Sequence, residues 1–149
     1  MALPPERRTS SSGLVERMDA HDRTFALIGI AKALQARAPE QVDALLQEAA
    51  TMERTVPDSD LVAAGLREIG KVLSEADHPD QARAFFQEAI ERAATEGELG
   101  SSTVADAAAE LANLGESRIA RVAADRYCTA SDRLRVYTAI LSPSADAGS

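Results

Sequence analysis

The chain has 149 residues, 45% hydrophobic but only 3% aromatic, with no Trp, a single Cys and a formal charge of −8. That length is enough for one core and short of two ordinary domains, and an Ala-rich chain poor in strand formers favours helices. The acidic balance argues against sequence-independent nucleic-acid binding, one Cys excludes an internal disulfide framework, and no apolar run reaches the ~18 residues that span a bilayer.

The first stretch, residues 1–13 (MALPPERRTSSSG), offers little to bury and reads as a disordered tail, with no secretory signal pattern. A helical domain is expected over residues 14–141, followed by a second disordered tail over 142–149 (SPSADAGS). Within the domain, periodicity and punctuation predict helices near residues 20–37, 39–54, 59–76, 79–96, 102–114, 117–128 and 131–141. Pro39 and Pro79 suit a first helical turn, and Asp58, Ser59, Asp77 and Ser102 are candidate N-caps.

The chain repeats itself. Residues 39–49 (PEQVDALLQEA) and 79–89 (PDQARAFFQEA) share six identities in eleven at an offset of 40. Upstream, Ile30–Leu34 matches Ile69–Leu73 at an offset of 39. Val62, Leu66, Ile69 and Leu73 keep helical spacing, as do Ala82, Phe85, Phe86, Ala89, Ile90 and Ala93, so each repeat is a pair of amphipathic helices. A more degenerate third unit offers Val104, Ala108, Leu111 and Leu114, then Ile119 or Ala120, Ala123 and Tyr127, joined by a turn at Gly115. The final segment reads as half a repeat, with Leu134, Tyr137 and Leu141 covering the preceding pair and Arg133 and Arg135 facing water.

Over residues 66–89 the pattern resembles the tetratricopeptide repeat family. Leu66, Ile69, Gly70 and Leu73 fall where that repeat has its first-helix packing residues, and Ala82, Phe86 and Ala89 take its second-helix positions. Residues 27–49 follow, with Ala31 in the Gly position and Val42, Leu46 and Ala49 in the second helix. The repeat of about 40 residues exceeds the roughly 34 of that family and keeps HEAT-like and other α-solenoids open. The resemblance implies an all-α, right-handed α-solenoid of about three and a half antiparallel helix pairs, whose first helices line a concave groove.

Residues that could carry chemistry are sparse. His21 and His78 stand alone at expected helix starts, and Cys128 has no adjacent base to activate it. The segment GELGSST at 97–103 lacks the Lys of a phosphate loop and follows no strand. Acid pairs such as Glu88 with Glu91 belong on solvated faces. The expectation is therefore a non-enzymatic protein without cofactor or metal, in the cytoplasm, and not membrane-bound.

What the groove would present is a local exception to the charge balance. Between Pro39 and Glu116 there are 17 acidic and 5 basic residues, yet the first helices offer Phe25, Ile28, Lys32 and Gln35, then Arg67, Lys71 and Ser74. Lys32 and Lys71 hold equivalent repeat positions, so stacking sets them side by side with Arg67 as a cationic row, and Phe25 and Ile28 add apolar contact. That points to a scaffold or adaptor module binding another protein's peptide or acidic segment. The alternative is a structural protein that hides poorly capped repeat faces by forming a homodimer.

Overall fold

The computed structural model describes residues 5–142, with side chains from residue 19 onward; the expected C-terminal tail from Pro143 lies outside the described residues, as do residues 1–4. Every regular element among the described residues is helical: α1 (Pro5–Leu34), α2 (Pro39–Glu53), α3 (Ser59–Glu75), α4 (Pro79–Ala94), α5 (Ser101–Asn113), α6 (Ser117–Tyr127) and α7 (Ala130–Leu141). A single 3-10 turn, Gly97–Gly100, joins α4 to α5. No described helix is long and apolar enough to cross a membrane. The helix α1 starts well before the expected residue 20, so the backbone from Pro5 to Gly13 is helical where a tail is expected. Pro5 sits in its first turn, where a missing N–H costs nothing.

The apolar spacing dictates which faces meet. In α4 all six expected stripe residues, Ala82 through Ala93, are buried, and Val62, Leu66, Ile69 and Leu73 of α3 are fully enclosed. The helices pack as α1 on α2, α3 on α4 and α5 on α6, while α1, α3, α5 and α7 also touch in succession. Gly70 fixes the α3–α4 distance: a Cβ there would lie 2.7 Å from Cε1 of the fully buried Phe86.

Helix ends decide the joins. Asp58 caps α3 as expected, its carboxylate accepting from the Asp60 and Leu61 amides at 3.0 and 3.1 Å. Ser59 is instead the first residue of that helix, Ser102 lies inside α5, and Asp77 is no N-cap. Asp77 takes φ 65° just past the end of α3, with His78 N–H donating to Leu73 O at 2.8 Å and Asp77 N–H to Ser74 O at 3.2 Å. The same pair of bonds closes α5, where Gly115 takes φ 87°.

The last helix is rotated from its expected setting. Val136 is fully buried and Tyr137 and Ile140 are half-buried, whereas Leu134 and Leu141 are 66% and 83% exposed. Polar anchors fix that rotation. Ser101 Oγ donates to Asp132 Oδ2 at 2.6 Å, and Arg135 reaches Asp106 at 2.9 Å and Asp132 at 3.0 Å. Arg135 thus faces α5 as an ion-pair donor.

Candidate binding surface along the first helices

Successive contact of α1, α3 and α5 places their side chains on one shared face, where the two repeat-equivalent lysines converge. Lys32 Nζ of α1 lies 4.0 Å from Glu68 Oε2, and Lys71 Nζ of α3 lies 3.9 Å from Glu68 Oε1. Arg67 reaches the same carboxylate at 3.2 Å. Gln35, one turn beyond Lys32, donates from Nε2 to the Val72 carbonyl at 3.2 Å, which holds the two helices in this register. Ser74 sits half-buried near the end of α3 and Phe25 is 39% exposed.

Ile28 departs from expectation. It is buried to 2% in the seam beneath α1 and offers no surface to a ligand, because the inward face of α1 runs through Thr24, Ile28 and Ala31. On α1, Ile30 is the more exposed aliphatic, at 50%.

The row is also less cationic than its basic members alone imply. Glu68 lies among the three cations, and Glu110 of α5 stands on their other side. Burial pushes the Glu110 carboxyl above the ordinary carboxylate range, while Lys71 and Arg67 pull it down and Glu68 and Asp106 push it up. Further along, Asp106 of α5 pairs with Arg135 of α7. The face is thus a charge ladder: Lys32 to Glu68, Lys71 and Arg67 toward Glu110, Asp106 to Arg135. The i, i+3 spacing of Glu68 and Lys71 is the one part of the ladder visible locally in the sequence. Glu110 and Asp106 carry no such signal, since only the packing of α5 on α3 brings them near.

The contacts between Glu68 and the lysines are long and lie on partly exposed side chains. Such pairs contribute less than about 1 kcal/mol. On this face three cationic donors, Lys32, Arg67 and Lys71, stand among the carboxylates of Glu68 and Glu110.

A separate buried polar cluster ties α1 to α2 and α3. Glu53, fully buried at the end of α2, meets His21 Nδ1 at 2.7 Å, and its other oxygen has no hydrogen-bond partner among the described residues. Burial pushes the Glu53 carboxyl up, with Thr24 and His21 pulling against it. Gly65 leaves room for this carboxyl, since a Cβ there would lie 2.6 Å from it. The imidazole also packs edge-on against Phe25, ring centres 5.0 Å apart. His21 therefore lies mid-helix, not at a helix start, and has a structural partner that periodicity alone did not reveal.

Cys128 is buried, with its thiol against the Ser101 carbonyl at 3.7 Å. Burial raises its pKa, and Asp132 raises it further, so the thiolate is disfavoured. His78 is exposed at the start of α4 and makes no side-chain cap.

A scan of protein-family models, a search of curated proteins and a search of solved structures each return no match.

Proposed function

We propose that this chain is a protein–protein interaction module, a tetratricopeptide-like, right-handed α-solenoid of about three and a half helix pairs. In this reading α1, α3 and α5 line its concave face, which takes an extended peptide segment carrying an acidic side chain or a terminal carboxylate. Its role is binding and not catalysis.

One observation carries the reading: Lys32, Arg67 and Lys71, drawn from two neighbouring helices, surround the single carboxylate of Glu68. A ligand carboxylate entering beside Glu68 meets the same donors and forms charge-assisted bonds. Phe25, partly exposed on the same face of α1 as Lys32, gives flanking apolar contact. Glu110, within electrostatic reach of Lys71 and Arg67, opposes such a ligand by competing for the same donors.

Neutral substitutions test this without crowding Glu68. Lys32→Gln with Lys71→Gln should leave helicity unchanged by circular dichroism while a partner captured from native lysate is lost. Glu110→Gln should retain that partner more strongly, because it removes a competing carboxylate. Undiminished capture by the double lysine variant would sink the proposal.

A further inference from the structure

The clefts between neighbouring second helices are filled differently. Between α2 and α4, Arg54 lies across the gap. Its guanidinium clamps Glu88 through two bonds of 3.0 and 2.7 Å and sits 5.7 Å over the ring of Phe85. The repeat offset of 40 places Ala94, the last residue of α4, where Arg54 follows the end of α2. Aligning the buried positions Ala82, Phe85 and Phe86 of α4 with Ala120, Ala123 and Ala124 of α6 sets Ala123 in place of Phe85 and Arg126 in place of Glu88. Clamp, ring and acceptor are all absent from the second cleft. What remains between α4 and α6 is an open groove of about 410 Å³ with an apolar floor of Ile90, Ile119, Val122, Ala123 and Tyr127. Val122 is 54% exposed and Tyr127 39%, and Leu99 on the adjoining 3-10 turn is 86% exposed.

The two rims carry opposite charge. Glu91 stands on the α4 side, Arg118 and Arg126 on the α6 side. Among the described residues none of the three forms an ion pair, whereas Arg83 at the start of α4 pairs with Glu116 at 2.8 Å. That last pair ties the start of α4 to the start of α6, and the 3-10 turn touches both α4 and α6. The helices therefore run side by side in the same direction. From the Arg83–Glu116 level, Glu91 lies about 12 Å along α4 and Arg126 about 15 Å along α6, at 1.5 Å per residue.

We infer that this groove is the contact surface for a second copy of the chain, arranged about a two-fold axis that runs along the groove. Rotation about that axis lays α4 of each copy over α6 of the other, with the helices parallel. Glu91 of one copy then stands at nearly the level of Arg126 of the other, twice over, and the exposed Val122 and Tyr127 side chains enter the opposing floor. An axis across the groove would set acid on acid and base on base, so the rim charges select the first arrangement. The inference concerns helices other than those of the charge ladder and does not depend on peptide binding there.

Sedimentation of the full chain over a concentration series tests it. The wild type should dimerise reversibly. Glu91→Arg and Arg126→Glu, both at exposed positions, should each weaken the dimer by about tenfold or more with helicity unchanged, by placing like charges opposite. Mixing the two single variants should restore a dimer, because in the mixed pair both contacts again join opposite charges. A wild type that stays monomeric overturns the inference. So do single variants that associate like the wild type, a mixture that stays monomeric, or growth into open assemblies.

Discussion

Glu53 is a residue on which pH should act directly. Its folded-state pKa is raised above the ordinary 4.5 by burial. The sign follows from proton linkage: its contribution to stability is complete below the unfolded value and is lost as pH rises through the folded one. Glu110 shifts in the same direction and adds to the slope. Glu53→Gln should therefore reduce the loss of stability between acid and neutral pH, as read by urea denaturation at a series of pH values. An unchanged slope would mean that Glu53 titrates as an unfolded carboxyl does. Asp77 makes a second residue-scale case. An L-residue at φ 65° is held where Gly115 serves the equivalent turn, so Asp77→Gly should raise stability by about 1 kcal/mol in the same assay.

At the scale of elements, most helix positions were legible because their physics is local. Prolines at the starts of α2 and α4, the Asp58 cap and the 3.6-residue apolar stripe each act within a few residues of chain. What local pattern misses is the angle at which a helix rolls onto its neighbours. Leu134 and Leu141 fit a packing stripe as well as Val136 and Ile140 do, until Asp132 and Arg135 bond to α5 and turn them outward. Ile28 differs from Phe25 in the same way, since both lie on one flank of α1 and only the seam with its neighbours separates buried from exposed. The α3–α4 packing was readable because Gly70 and Phe86 are a size-matched pair. Phe86→Ala should cost about 3–5 kcal/mol in chemical denaturation, and a near-neutral result would show that the ring is not the anchor of that interface.

The whole molecule carries its charge in an order that individual helices do not show. Lys32 and Lys71 were recognisable as repeat-equivalent, and the structure does bring them together. The carboxylates that balance them come from α5 and from within α3, so the cationic row is part of a ladder. The ladder and the apolar α4–α6 groove lie on different helices, which separates partner binding from self-association in any experiment that resolves position. Hydrogen exchange on the chain with and without its captured partner does this most directly. Protection concentrated on α1, α3 and α5 around Lys32, Lys71 and Glu110 is the predicted result; protection confined to α4 and α6, with the first helices unchanged, would contradict the account.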